Sequence, residues 1–266
     1  MSAVPSVCLV HLVWAPLGPE PVARFVRAHR AVDPGLDHRL LVVLNGFGAA
    51  PVPAETLAPL RELEHEQLRL TERVQDLTAY RLAAEHAAWA DRLCFLNSHA
   101  EPLVDDWLAL LDARLSEPRV GIVGATGSHE SQFSAAARPL RPIRYFQYPP
   151  FPNPHVRTNG FMIGRDDMLA LAWRVGRRKR SAYHLESGNR GIVRQLAARG
   201  LEARVVDRDG RGLPPAEWPG SRTFRSGAQE RLLIADNRTR EYERADQARR
   251  EWFASVTWGD AAFARS

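Results

Sequence analysis

The sequence has few cysteines and no long apolar run. Of its 266 residues only Cys8 and Cys94 are cysteines, and both lie in apolar runs typical of strands. Two isolated thiols of this kind argue against a disulfide framework or a zinc site built from cysteines, and they favour a reducing compartment. No stretch approaches the roughly 20 apolar residues that a membrane-spanning helix needs. We therefore expect a cytoplasmic protein without a membrane span.

Repeats, low-complexity tracts and clear linkers are also missing. The apolar run from Val4 to Pro16 contains His11 and lacks both a basic leader and a small-residue cleavage pattern, so it predicts a first strand rather than a signal peptide. A chain of this length can form one main domain. We expect that domain over residues 1–210, with residues 211–266 as a C-terminal extension that packs on it.

Arginine is the residue type in excess. Lysine and arginine together number 36 against 31 acidic residues, the net charge is +5, and one dense basic run spans Arg174 to Arg180. This balance suits anionic ligands such as nucleotide diphosphates, nucleic acid or a lipid surface, and it is equally typical of a solvated basic face. Because no nucleic-acid motif and no basic stripe with interleaved aromatics occurs, we do not expect nucleic acid as a partner.

Apolar runs alternate with helical periodicities along most of the chain. The predicted strands are Val7–Trp14, Arg39–Leu44, Leu68–Leu70, Arg92–Leu96, Val120–Val123, Phe161–Ile163 and Ala203–Val206. The predicted helices are Pro21–Ala31, Ala54–Glu64, Leu77–Trp89, Asp105–Leu115, Arg165–Trp173, Gly191–Arg199 and Arg240–Ser255. This alternation predicts an α/β fold with a mostly parallel central sheet and helices on both faces. Residues 135–155 predict a long loop or lid, and the tail after residue 210 is expected to be irregular and helical.

Ligands of open parallel sheets bind outside the carboxyl ends of the strands. The residues at those ends are Ala15-Pro16, Asn45-Gly46, Asn97-Ser98-His99 and the loop from Gly124 to Ser128. The last of these could offer backbone amides to an anion, but it lacks the lysine and the spacing of a phosphate-binding P-loop.

The stretch from Arg92 to Trp107, RLCFLNSHAEPLVDDW, and the helix that follows it carry a family resemblance. Together with the order of the elements over the first 200 residues or so, they resemble the GT-A fold of inverting family 2 glycosyltransferases. The resemblance implies that residues 1–210 bind a nucleotide-sugar and transfer its sugar to an acceptor hydroxyl. In that family the equivalent strand ends in an acidic DxD-like motif, which holds a divalent cation such as Mn²⁺ or Mg²⁺ against the donor diphosphate.

This chain has Asn97, Ser98 and His99 where the family has the acidic motif. An amide, a hydroxyl and an imidazole form a weak site for hard cations, which prefer carboxylate oxygens. Three interpretations stay open: His99 is a metal ligand in a weakened site, His99 and nearby arginines contact the diphosphate without a metal, or donor binding is lost. A fourth is structural, in which Asn97 and Ser98 cap a turn.

A polar loop, residues 152–160, runs directly into a predicted strand. The resemblance places this stretch at the junction of the donor and acceptor sites. It implies that His155, Thr158 and Asn159 bind the acceptor and that Arg157 binds the donor. A hydrogen-bonded surface turn is the alternative, since Asn-Pro pairs favour turns.

Glu186 is the predicted catalytic base. Family 2 enzymes place an acidic residue at a similar position, often with an arginine further along the next helix, which here is Arg194. A carboxylate beside the anomeric carbon could deprotonate the acceptor hydroxyl, as a single displacement with inversion requires. Alternatively, Glu186 could stabilise the start of the helix that follows.

The resemblance also implies a contact between the donor nucleobase and Asn45 or Asp76, with Arg157 and Arg194 near the diphosphate. Asp76 could instead be the N-cap of a helix that begins at Leu77. The polar and aromatic tail could fold back over the acceptor side, form a homodimer contact or pack on the core. The expected function is that of a glycosyltransferase, and the alternative is a catalytically silent nucleotide-sugar or anion-binding module.

Overall fold

The apolar runs of the sequence form the strands of a central sheet. A computed structural model describes residues 6–133, 146–172 and 184–259 of the chain. Its strands are β1 (Val7–Trp14), β2 (Arg39–Asn45), β3 (Glu66–Arg69), β4 (Arg92–Leu96), β5 (Glu101–Pro102), β6 (Val120–Gly124), β7 (Gly127–Ser128), β8 (His155–Val156), β9 (Gly160–Gly164), β10 (Glu202–Val206), β11 (Gly212–Leu213) and β12 (Ile234–Ala235). Its α-helices are α1 (Glu20–Ala31), α2 (Ala54–Leu57), α3 (Asp76–His86), α4 (Trp107–Leu115), α5 (Arg165–Ala170), α6 (Ile192–Ala197), α7 (Asn237–Arg244) and α8 (Gln247–Trp258).

Eight strands form the main sheet in the order β11-β10-β6-β9-β4-β1-β2-β3. The pairs β1/β2, β1/β4, β2/β3 and β6/β10 are parallel. Strand β9 runs antiparallel between β4 and β6, and β11 is antiparallel at the edge. The predicted α/β fold with a mostly parallel sheet is therefore confirmed. The antiparallel β9 also brings residues 157–159, which precede it, to the edge where the parallel strands end.

Helices cover both faces of this sheet, because alternate residues of each buried strand point to opposite sides. On β1, Cys8, Val10 and Leu12 belong to the core cluster that includes α3, α5 and α6. Val7 and Leu9 belong to the cluster that includes α1 and α4. We call these two sides of the sheet the α3 side and the α1 side.

Most predicted helices differ from the observed ones in their bounds, and in two of them the predicted helix is interrupted. The helix expected from Ala54 to Glu64 is broken into α2 and a 3₁₀ turn, Pro59–Glu62, because a proline inside a helix removes a backbone donor. The helix expected from Arg240 to Ser255 is two helices, since Ala245 is extended and the side chain of Asp246 caps α8. Helix α5 ends at Ala170, before the predicted end at residue 173. Residue 173 itself, the basic run 174–180 and most of the predicted loop or lid lie outside the described ranges.

The C-terminal tail packs on the main sheet. Strand β11 pairs with β10, and β12 pairs with β5 near the start of α4. The side chains of Trp218 and Trp258 are buried in the core on the α3 side. The indole of Trp258 donates to the backbone oxygens of Phe224 and Arg225, at 3.0 and 3.1 Å. A domain division at residue 210 stays a prediction. In the described part of the chain, no helix is long and apolar enough to cross a membrane.

His11 makes stability depend on pH. Its ring is fully buried, stacks on Phe25 at a centroid distance of 3.7 Å, and has no hydrogen-bond partner on either nitrogen among the described residues. Burial lowers its pKa to about 3, and burial likewise lowers the pKa of the nearby His29 to about 4. In the unfolded chain both imidazoles become protonated near pH 6.5, whereas in the folded chain they stay neutral until a much lower pH. The free energy of unfolding therefore keeps its full value above pH 6.5 and falls as the pH is lowered below it.

We expect each of these two histidines to contribute a loss that steepens from about 0.7 kcal/mol per pH unit at pH 6.5 to about 1.4 kcal/mol per pH unit near pH 5. Urea unfolding at several pH values in this window measures the slope. The variant His11→Phe should show a shallower slope, because one of the imidazoles that take up a proton on unfolding is removed. An unchanged slope in that variant would exclude His11 as the source.

Candidate functional site

The strand ends and the polar loop meet at one edge of the sheet. Leu96, at the end of β4, pairs with Gly160, at the start of β9. The backbone NH of Asn97 donates to the oxygen of Asn159 at 3.0 Å. Two segments about 60 residues apart, which the sequence marked separately, therefore lie side by side.

Glu186 is fixed to this loop. Its Oε1 accepts hydrogen bonds from the backbone NH and the hydroxyl of Thr158, both at 3.0 Å. These bonds use one carboxylate oxygen, and Oε2 has no hydrogen-bond partner in the described part of the chain. The half-buried carboxylate is therefore held in one orientation with one oxygen left to accept a proton.

Tyr80 links this carboxylate to the start of α3. Its hydroxyl lies 3.4 Å from the backbone oxygen of Thr158, to which it donates. Burial raises the pKa of Tyr80 well above its usual value, and the nearby charges of Asp76 and Glu186 raise it further. Asp76 and Glu186, predicted for the donor base and for catalysis, thus act on the same buried hydroxyl. Because α3 begins at Asp76 and its N-cap is Gln75, the alternative of Asp76 as the N-cap is wrong.

Asn159 brings an unpartnered donor to the same edge. Its Oδ1 accepts from the hydroxyl of Thr126 at 2.8 Å, and its side chain is almost fully buried. Its Nδ2 has no hydrogen-bond partner among the described residues. A buried amide donor without a partner is costly, so the structure keeps Asn159 in this position at the expense of stability.

Asn97 and Ser98 stabilise the turn after β4. The Asn97 Oδ1 accepts the backbone NH of His99 at 2.9 Å, and the buried Ser98 hydroxyl donates to the oxygen of Leu12 at 2.7 Å. The geometry matches the turn-capping alternative for these two residues. The predicted contact of Asn97 with the donor stays a prediction.

His99 lies in a strongly positive environment. Burial and the charge of Arg240 lower its pKa, Arg24 and Arg238 lower it further, and Asp236 opposes them. Its backbone oxygen accepts from Arg240 at 3.2 Å. The imidazole is therefore neutral at pH 7 beside cationic side chains.

The residues around His99 do not fit a divalent cation. Among the described residues, no group of three or more histidine, cysteine, aspartate and glutamate side chains could hold a metal ion. The nearby carboxylate of Asp236 is fully buried and forms a 2.9 Å ion pair with Arg157. Hard cations need several free oxygen ligands, and arginines repel them. The described side chains at His99 therefore provide no ligand set for a hard divalent cation.

Arg157 is committed to the tail. Besides its ion pair with Asp236, it donates to the Thr126 hydroxyl at 3.3 Å and packs over the Phe224 ring at 3.9 Å. Burial alone would raise the pKa of Asp236, but Arg157 and the backbone amides of Thr239 and Arg238 lower it. The predicted contact between Arg157 and a diphosphate stays a prediction.

The remaining predicted residues lie at different depths. Asn45 is fully buried, and its amide makes two hydrogen bonds with the backbone of Val74, at 2.9 and 3.2 Å. His155 is buried in β8, with its Nδ1 2.8 Å from the oxygen of Asn153. Arg194 is exposed on α6, on the face opposite the buried Ile192. The predicted ligand contacts of Asn45, His155 and Arg194 stay predictions.

Sequence reasoning missed an arginine-lined cleft beside His99. The cleft has a volume of about 500 Å³ and lies between the first turns of α1 and the helices of the tail. Its cationic lining residues are Arg24, Arg240, Arg244 and Arg249. The spacing of Arg240 and Arg244, four residues apart, places them on one helix face and was a usable signal. Nothing in the sequence placed that face against α1.

No family model matches the chain, and no curated protein matches its sequence. Among solved structures, several glycosyltransferases are similar to this chain in the path of the backbone. A mannosyltransferase from Pyrobaculum calidifontis, in complex with GDP-Man and Mn²⁺, has 17% identity and a TM-score of 0.48, over 83% of this chain and 61% of that chain. This chain thus spans less than two thirds of the mannosyltransferase.

Two further structures are similar at a comparable or lower level. Glucosyl-3-phosphoglycerate synthase from Mycobacterium tuberculosis, in complex with Mn²⁺, UDP and glucosyl-3-phosphoglycerate, has 12% identity and a TM-score of 0.47, over 75% of this chain and 69% of that chain. GalNAc-T7 with UDP, GalNAc and Mn²⁺ has 14% identity and a TM-score of 0.42, over 61% of this chain and 36% of that chain. Likenesses of this size indicate no ligand and no reaction.

Proposed function

We propose that this protein is a glycosyltransferase that moves a sugar from a nucleotide-diphosphate donor to an acceptor hydroxyl, with Glu186 as the general base. In a single displacement, the acceptor oxygen attacks the anomeric carbon while Glu186 takes the hydroxyl proton. The bond between that carbon and the diphosphate breaks on the opposite side, so the configuration inverts. The acceptor itself is unknown, and a cytoplasmic location and a homodimer belong to the same proposal.

One observation carries the proposal: Glu186 is held by Thr158 at the sheet edge where β4 ends. A general base must lie within hydrogen-bond reach of the proton that it removes, and it must be held there. The two bonds to Oε1 orient the carboxylate, and Oε2 is available for the acceptor.

The donor would extend from this edge toward the start of α3. Asp76 is exposed there, and Arg73 packs over the Trp14 ring at 4.5 Å. A nucleobase at this end and a sugar near Glu186 would place the diphosphate between them. Since the residues at His99 do not suit a hard cation, we expect donor turnover to persist in EDTA.

A thermal-shift screen followed by a turnover assay tests the proposal. A nucleotide-sugar at 100 times its dissociation constant should stabilise the fold by about 2.7 kcal/mol. Ligands that raise the melting temperature are then assayed for release of nucleoside diphosphate in EDTA, Mg²⁺ and Mn²⁺. Release in EDTA supports the arrangement described, whereas release only with Mn²⁺ would contradict the metal-independent part.

A second function is favoured by the absence of the acidic motif at Asn97, Ser98 and His99. The chain could bind a nucleotide-sugar or another anion without turning it over. Stabilisation by a nucleotide-sugar, with no release of nucleoside diphosphate under any metal condition, would favour this binding module over the enzyme.

A further inference from the structure

The cleft beside His99 is a concave site with an excess of positive charge. Its lining contains four arginines and one acidic residue, Glu241. Arg24 and Arg240 come from elements more than 200 residues apart, and both pair with the carboxylate of Glu101 just outside the cleft, while Arg24 also pairs with the exposed Glu20 at 3.2 Å. That shared carboxylate holds the two guanidinium groups next to each other.

The other two arginines of the cleft, Arg244 and Arg249, are incompletely neutralised by carboxylates of the described residues. Arg249 pairs with Glu241 at 3.2 Å, but Glu241 also accepts a hydrogen bond from Arg238 at 2.9 Å. Within the described ranges, no carboxylate pairs with Arg244. Like charges brought together in a concavity create a positive potential that attracts an anion.

We propose that this cleft binds a phosphate group of a small-molecule substrate of the proposed transferase. Guanidinium groups present planar pairs of donors that match phosphate oxygens, and they neutralise such groups without a metal. The volume suits a small molecule, and the site adjoins the turn after β4. That the bound molecule is a substrate rests on the proposed transferase function, whereas the binding of a phosphate group in the cleft does not depend on it.

The position of the cleft distinguishes it from the predicted nucleobase contacts. Arg24 projects from α1, on the α1 side of the sheet. The amide of Asn45 instead bonds to Val74, immediately before α3, on the other side. The arrangement proposed above places the donor diphosphate between the start of α3 and Glu186, which favours a phosphorylated acceptor as the source of the phosphate in the cleft. A donor phosphate that reaches across the sheet edge is the other outcome of the test. The chemistry recognised is the same in both cases.

Isothermal titration with inorganic pyrophosphate tests the cleft through three single variants. Arg24 and Arg27 lie one turn apart on α1, and both bond to Oε1 of Glu20, at 3.2 and 3.3 Å, but only Arg24 lines the cleft. We expect Arg24→Gln and Arg244→Gln each to weaken pyrophosphate binding roughly tenfold, as loss of a charge-assisted hydrogen bond does. The matched control Arg27→Gln should bind within twofold of the native chain.

Competition then identifies the source of the phosphate. A nucleoside diphosphate that displaces pyrophosphate, with the same loss in Arg24→Gln, assigns the cleft to the donor. If the nucleoside diphosphate and pyrophosphate bind at the same time, and a sugar phosphate displaces pyrophosphate, the cleft is assigned to the acceptor. Equal pyrophosphate affinity in all four proteins, or an equal loss in Arg27→Gln, would overturn the proposal.

The two proposals can fail separately. Pyrophosphate binding that depends on Arg24 and Arg244, without turnover of any nucleotide-sugar, keeps the cleft and removes the enzyme. Turnover of a nucleotide-sugar with unchanged kinetics in Arg24→Gln and Arg244→Gln keeps the enzyme and removes the cleft.

Discussion

Replacing Glu186 with glutamine is expected to slow sugar transfer by about 10² to 10⁴-fold, the usual contribution of a general base. The amide oxygen of glutamine can still accept the two hydrogen bonds from Thr158, so the local structure should persist. The amide nitrogen that replaces Oε2 cannot take the acceptor proton. The loss should therefore appear in kcat, with little change in donor affinity, when initial rates are measured.

A matched control separates this effect from a general loss of negative charge. The Asp166 side chain is fully exposed in the first turn of α5, and Asp166→Asn should transfer at the native rate. The melting temperature of Glu186→Gln should stay close to that of the native chain. Near-native transfer by Glu186→Gln would remove Glu186 from the mechanism.

The variant Asp236→Ala is expected to lower the free energy of unfolding by about 3–5 kcal/mol, as loss of one partner from a buried ion pair does. Asp236 is fully buried, and Arg157 beside it is largely buried. The substitution leaves that guanidinium without its carboxylate. It also removes the N-cap of α7, where the side chain accepts the backbone NH groups of Arg238 and Thr239.

Urea unfolding measures the effect of Asp236→Ala against an exposed ion pair. Glu85→Gln breaks the surface pair with Arg81 and should cost less than about 1 kcal/mol. The double variant Asp236→Ala, Arg157→Met should be less destabilising than the sum of its single variants, because the unpaired charge is removed with its partner. Equal losses in Asp236→Ala and Glu85→Gln would show that the tail is not held through Arg157.

The apolar runs of the sequence were sufficient to predict the bounds of the buried strands. The bounds of β1 and β4, Val7–Trp14 and Arg92–Leu96, match the predicted runs because each is a short apolar segment buried on both faces. The tail was harder, because a single helical pattern from Arg240 to Ser255 hid a break at Ala245. A cap such as Asp246 inside a polar pattern is a weak signal beside the longer periodicity.

The candidate site was predictable where it follows from topology. Residues after parallel strands meet at one edge, which predicted the position of Asn97 and His99, and the family resemblance pointed to Glu186, whose catalytic role stays a prediction. The convergence of Thr158 with Glu186 depends on the antiparallel insertion of β9, which no periodicity reveals. The cleft depends on β5 pairing with β12, two residues each, across more than 100 positions. Such short pairings leave no pattern in a single sequence.

The release of nucleoside diphosphate from a panel of nucleotide-sugars, followed with the native chain and with Glu186→Gln, tests the central claim most directly. The account predicts that at least one donor is turned over by the native chain in the presence of EDTA. It also predicts that Glu186→Gln binds the same donor but turns it over at least about 10²-fold more slowly. Absence of release from every donor, in EDTA, Mg²⁺ and Mn²⁺ alike, would contradict it.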